Sequence, residues 1–187
     1  MTDQEADLLR TLLRVRLLRC GGPLVQVAVA VDPGVVKGGL AIYIDGLLVR
    51  AETVRAPTPR AWAAKLVDSV ASVLRGLEGA DVEWVVERMV KRRGKAVKHS
   101  DLDRVERSVE ALKDMIRQSP SVRGRIVRVK PEAWKAQIPK PICHARSQKI
   151  LSHTERLSIL DTGHDALDAV GIGLFHIGRA KRGMVSR

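Results

Sequence analysis

Four carboxylates stand where an acidic side chain is out of place. Asp32 closes the apolar run from Val25 to Val31, and Glu87 follows Val85 and Val86 at the end of another. Asp165 and Asp168 lie three residues apart in GHDALDAVGIGLF, 163–175, a stretch otherwise apolar enough to pack on a sheet. On a helix that spacing puts both on one face. Like charges brought together raise one another's pKa unless a cation neutralises them. Hard oxygen ligands without a cysteine cluster favour Mg²⁺ or Mn²⁺ over zinc. Two such ions about 4 Å apart stabilise the attacking and leaving oxygens of an in-line phosphoryl displacement. The chemistry within reach is the cutting of a phosphodiester.

The glycines beside Asp32 suit that reading. In AVDPGVVKGGLAIY, Pro33-Gly34 turns the chain away, and Gly38-Gly39 is expected to leave room for a phosphodiester beside Asp32. Each acid also has a plainer reading. Asp-Pro-Gly is most often a turn. Glu87 alone would serve as a solvent-facing strand end. Asp165, three residues after Thr162, would complete an N-terminal cap. Asp168 is harder to dismiss, because burying an unpaired carboxylate is costly.

Positioning these residues takes an α/β order. Strands are expected over 25–32, 38–45 and 47–54, with Asp45-Gly46 as the tight hairpin between the second and third. A helix over 60–76 presents Trp62, Leu66, Val70 and Val73 on one face, and 81–87 reads as a fourth strand. The basic segment RMVKRRGKAVKHS reads as an exposed loop. A helix over 101–118 carries Leu102, Val105, Val109, Leu112 and Ile116 at alternating spacings of three and four. That stripe either packs on the sheet or forms a subunit interface. A strand at 125–129 precedes a helix over 131–137, a proline-rich bend at 139–141, and helices over 144–157 and 164–179. The order predicts an α/β fold with a five-stranded mixed sheet flanked by helices. Residues 1–24 read as a helical extension, 25–180 as the domain and 181–187 as a basic tail.

Thirty-three Lys and Arg against 21 Asp and Glu give a net charge of +12, which favours a polyanionic partner, nucleic acid first. Cys20 and Cys143 supply neither a disulfide framework nor a zinc knuckle, and Cys143-His144 is adjacent rather than metal-spaced. Arginines break up the N-terminal leucines, so neither a signal peptide nor a membrane span is expected there. A cytoplasmic protein with no membrane partner is the expectation.

AVDPGVVKGGLAIY, Glu87 after its apolar strand, and HDALDAVGIGL together resemble the RuvC-type Holliday junction resolvases of the RNase H-like superfamily. The phage-encoded branch is the most similar, which would place the protein in a host cytoplasm. The resemblance spans about residues 25–177. It implies an RNase H-like fold and a Mg²⁺-dependent endonuclease acting as a homodimer on four-way and branched DNA junctions. It implies two ions per site, Mg²⁺ or Mn²⁺, held by Asp32, Glu87, Asp165 and Asp168, with His164 the alternative to Asp165. Asp165 fits better, because its spacing completes Asp-x-x-Asp and Mg²⁺ prefers oxygen. Relatives also use lysines between the fifth strand and the last helix to meet the scissile phosphate. Lys135, Lys140 and Lys149 are the candidates here. DNA contacts fall to Lys37, Arg88, Met89, Lys91, Arg92, Arg93, Lys95, Lys98 and Lys140.

One departure stands out. Cellular members carry an aromatic residue shortly after the catalytic Glu, used against bases at the junction. This chain has Arg88, Met89 and Val90 there, and its only Phe is Phe175, so the base-stacking step is not carried over. An RNase HI-like nuclease of RNA–DNA hybrids is the nearest rival. That family places its Glu on the first helix, where this chain offers only Asp68. Actin-like ATPases need two such domains. A non-catalytic DNA-binding protein of the same fold would not need all four acids.

Overall fold

Side chains of the first strand alternate in size as well as in facing. In the computed structural model, which describes residues 25–77, 79–89, 99–160, 162–182 and 185–186, this strand is β1 (Gln26–Asp32). Val27, Val29 and Val31 enter one apolar cluster; Ala30 enters a second, with Ala28 packed against it. The elements after β1 are β2 (Lys37–Ile44), β3 (Leu47–Arg55), α1 (Pro59–Leu74), β4 (Asp81–Glu87) and α2 (His99–Gln118). Then come β5 (Arg125–Val129), α3 (Pro131–Trp134), α4 (Lys140–Ile150), α5 (His153–Leu157), α6 (His164–His176), β6 (Ala180–Lys181) and β7 (Val185–Ser186).

The main sheet has the order β3-β2-β1-β4-β5. Strands β1, β4 and β5 run parallel, and β2 is antiparallel to both β1 and β3. Asp45 and Gly46 make the hairpin between β2 and β3 with φ of 47° and 79°, the left-handed pair that a tight two-residue turn requires. On one face of the sheet, Trp62, Leu66 and Val70 of α1 and Val109, Leu112 and Ile116 of α2 cover the valines of β1. On the other face, Val170, Ile172 and Leu174 of α6 lie over Ala30, Ala41, Tyr43 and Val85. Small residues on that side let α6 lie close. Gly173 goes further: a Cβ there would sit 2.1 Å from the Tyr43 ring, whose hydroxyl donates to the Val170 carbonyl at 2.8 Å.

Several expectations change. Val105, Val109, Leu112 and Ile116 of the stripe on α2 are buried within the chain, the last three in the cluster shared with α1 and the sheet, so they are not free to serve as a subunit interface; Leu102 is half-buried. Helix α3 ends at Trp134, and Ala136 takes a left-handed φ of 54°, which a helix cannot pass through. Helix α4 starts at Lys140, with Pro141 in its first turn, where a missing N–H breaks no helical bond. The expected helix over 144–157 is broken at Leu151. Ser152 there begins α5 with a reciprocal capping box to Glu155. Helix α6 stops at His176, and Lys181 pairs with Val185 in a two-stranded ladder. The extension over 1–24 lies outside the described residues. Among the described residues, no helix is long and apolar enough to cross a membrane.

Glu155 pins the far end of α4 to the sheet. It is buried; its Oε1 accepts from the Leu48 N–H at 2.8 Å and its Oε2 from the Ser152 N–H at 2.8 Å and Arg179 at 2.9 Å. Arg179 also donates to the carbonyls of Gly46 at 2.9 Å and Ile150 at 3.0 Å. Burial alone would raise the Glu155 pKa, but Arg179 and the two N–H groups outweigh it and hold the carboxyl at about 2 against its usual 4.5. The pair's stabilisation is therefore full above 4.5 and lost as pH falls toward about 2. Glu155→Gln leaves Arg179 without its counter-charge and is expected to cost about 3 kcal/mol in urea unfolding at pH 7. The variant's stability should also depend less on pH below 4.5 than the parent's.

Candidate active site

Two parallel strands set the first two acids side by side. β1 and β4 pair in register through Val31↔Val86, and the next residues along each are Asp32 and Glu87. By alternation Asp32 shares a face with Ala30, and Glu87 with Val85, which is the face covered by α6. The start of α6 is seated on β2 by Gly39. A Cβ there would lie 1.8 Å from the Asp165 carbonyl oxygen. A Cβ at Gly38 would meet the Asp32 carbonyl oxygen at 2.6 Å and the Trp62 ring at 2.7 Å. These glycines thus admit the backbone of α6 and the ring of Trp62. That corrects the expectation that they clear space for a phosphodiester.

Each buried acid is held by a ring nitrogen and a lysine. Glu87 is 5% exposed, and its Oε1 accepts from Trp134 Nε1 at 3.0 Å and Lys135 Nζ at 3.1 Å. Asp168 is 1% exposed; Oδ1 meets His144 Nε2 at 3.0 Å, and Oδ2 accepts from Lys140 Nζ. Asp165 pairs with Lys37 at 3.0 Å. The cap proposed for Asp165 is not made: Gly163 caps α6 with no side-chain bond, and the Thr162 hydroxyl donates to the Ile159 carbonyl instead.

Half-buried Asp32 is the strained member. Burial first, and then the charges of Glu87 and Asp168, push its carboxyl well above the usual carboxylate range. Burial works against the Lys140 ammonium too, but Asp168, Asp32 and Asp165 outweigh it and raise its pKa. Lys140 therefore feels three of the four acids at once. The donor set is carboxylate oxygen throughout, and the crowding at Asp32 is what a hard divalent cation relieves, so these residues suit Mg²⁺ or Mn²⁺ in kind. Among the described residues no group of three or more His, Cys, Asp or Glu is arranged to hold an ion as it stands. Lys135 and Lys140 supply the neutralising charge in this arrangement.

Lys149 points into solvent in the last turn of α4 and contacts none of the acids. Arg88 is exposed and Met89 half-buried, both beyond the end of β4. Phe175 packs against the α6-side cluster. Lys91, Arg92, Arg93, Lys95 and Lys98 lie outside the described residues. His164 stacks on His144, with ring centroids 5.5 Å apart and 16° between planes. Sequence reasoning passed over Trp134 and His144. The only signals were Trp134 standing beside Lys135, and His144 one helical turn after Lys140.

The five-stranded mixed sheet flanked by helices is the RuvC, RNase H-like fold. Two solved structures with that fold come from Thermus thermophilus. A RuvC structure matches with a TM-score of 0.55 and 16% identity, covering 81% of this chain and 93% of that one. RuvC in complex with a Holliday junction substrate matches with a TM-score of 0.59 and 18% identity, covering 81% and 92%. No family model and no curated protein matches the chain.

Proposed function

We propose that the chain is a structure-selective endonuclease that resolves four-way and branched DNA junctions by phosphodiester hydrolysis, working as a homodimer with two divalent ions per site. The observation carrying this reading is the convergence of Asp32, Glu87 and Asp168 under the first turns of α6, with like-charge crowding at Asp32. The substrate class is supported by the Holliday junction held by the T. thermophilus neighbour and by this chain's net charge of +12. Asp32, Glu87, Asp168 and Asp165 would hold Mg²⁺ or Mn²⁺. When bound, the ions supply electrostatic stabilisation to the attacking and leaving oxygens.

The chain's own groups do the rest. Trp134 and Lys135 fix the orientation of the Glu87 carboxyl. Lys140, whose side chain is 56% exposed, can swing from Asp168 to neutralise a phosphate oxygen. A two-fold junction needs two symmetric cuts, which C₂ pairing provides. Light scattering should return a dimer.

The deciding assay presents purified protein with a four-way junction, a linear duplex and an RNA–DNA hybrid, each with and without Mg²⁺. Cutting confined to the junction and dependent on Mg²⁺ is expected, with junction binding kept in EDTA. Preference for the hybrid would favour the RNase HI-like alternative. Binding without any cutting would favour a non-catalytic module, and cutting in EDTA would end the ion account.

Asp165 and His164 can be told apart. Among the described residues the ion pair of Asp165 is with half-exposed Lys37, so Asp165→Asn should leave the melting temperature near the parent's. As a ligand it should nonetheless slow junction cleavage at least about a hundredfold. His164→Ala should be milder. The reverse ranking in single-turnover assays would hand the fourth position to His164.

A further inference from the structure

We propose that His144 is a positioning residue that holds Asp168 as a cation ligand, while Lys140 is the removable partner of the same carboxylate. The inference rests on the proposed two-ion site. Lys140 and His144 stand one turn apart in the first half of α4 and take opposite oxygens of Asp168. Their freedom differs. The Lys140 side chain is 56% exposed on a flexible stem, whereas that of His144 is 8% exposed and covered by the His164 ring. A carboxylate that ligates a cation only accepts, so in the proposed arrangement His144 Nε2 is the donor of this contact.

Glu87 repeats the arrangement, with the Trp134 indole as the fixed neutral donor and Lys135 as the cation. In each case a rigid ring N–H fixes the carboxylate and a lysine neutralises it. With a cation bound, Lys140 would release Asp168, and the His144 contact on Oδ1 would remain to orient the carboxylate. Groups that hold a ligating carboxylate from behind typically account for 10- to 100-fold in metal affinity.

Calorimetric titration of the full-length protein with Mn²⁺, without DNA, reads this directly. His144→Phe keeps a ring against His164 but has no N–H to donate. It should bind Mn²⁺ roughly 10- to 100-fold more weakly. His144→Gln can place an amide N–H near the same point and should recover most of that loss, which a role in packing alone would not permit. Lys140→Met removes the competitor and should bind at least as tightly as the parent. Circular dichroism melting identifies a variant that fails to fold; if His144→Phe does, the comparison of His144→Gln with the parent carries the test. Parent-like binding by a folded His144→Phe, or binding by a folded His144→Gln weaker than the parent's by tenfold or more, overturns the inference alone. Absence of Mn²⁺ binding in the parent overturns the proposed function and this inference with it.

Discussion

Asp32→Asn is expected to lower junction cleavage at least about a thousandfold and, in the same protein, to raise the stability of the ion-free fold. The two effects have one cause. Burial and the charges of Glu87 and Asp168 lift the folded-state pKa of Asp32 well above its ordinary 3.8. Between those two values the folded chain holds a proton that the unfolded chain releases. The contribution of Asp32 to stability is therefore greatest below 3.8 and is lost as pH rises through the folded-state value. Asparagine carries no such penalty. Scanning calorimetry in EDTA should find the variant melting above the parent at neutral pH, with the gap closing as pH falls toward 4. Mg²⁺ should then stabilise the parent and leave the variant nearly unmoved. A variant less stable than the parent at neutral pH without ions would mean that Asp32 makes a favourable contact outweighing its crowding.

The parts of this site that could be read from the sequence are those governed by local periodicity. The apolar runs up to Val31 and up to Val86 marked β1 and β4, with Asp32 and Glu87 at their ends. The left-handed pair Asp45-Gly46 announced its own hairpin. Asp168 stood out because a carboxylate inside an apolar helix needs a partner. The partners themselves were invisible. Trp134 reaches Glu87 across 47 residues, and His144 reaches Asp168 across 24. Nothing in their neighbourhoods distinguishes a ring N–H that holds a carboxylate from one that fills a core. Gly171 shows why the first contact exists only in the folded state. A Cβ there would lie 2.6 Å from the Trp134 ring, so the indole reaches its place through a gap in another helix. The break at Leu151 was different. Ser-His-Thr-Glu over 152–155 is a legible capping box, and a continuous helix over 144–157 ran through it.

Gly39→Ala is expected to disable the proposed junction cleavage while touching no acid side chain. The added Cβ would fall 1.8 Å from the Asp165 carbonyl oxygen and 2.4 Å from its carbon. Both are backbone atoms of α6, so no side chain can turn aside to make room. The first turn of α6 must lift from β2, carrying Asp165 and Asp168 away from Asp32 and Glu87, which stay with the sheet. A displacement of about 1 Å at reacting groups can cost roughly a hundredfold in rate. The forced shift should also remove about 1–3 kcal/mol of stability. Gly46→Ala is the control. Gly46 has a φ of 79° with nothing within 4 Å, so alanine there introduces backbone strain but no collision. It should lose comparable stability in urea and still cut a four-way junction at close to the parent's rate. If Gly39 instead clears the approach of DNA, Gly39→Ala would melt like the parent and lose junction affinity rather than turnover. Single-turnover rates at saturating enzyme, set beside urea midpoints for both variants, separate the two accounts: a stable, fast-cutting, weakly binding Gly39→Ala would show that the seat of α6 is not what aligns the acids.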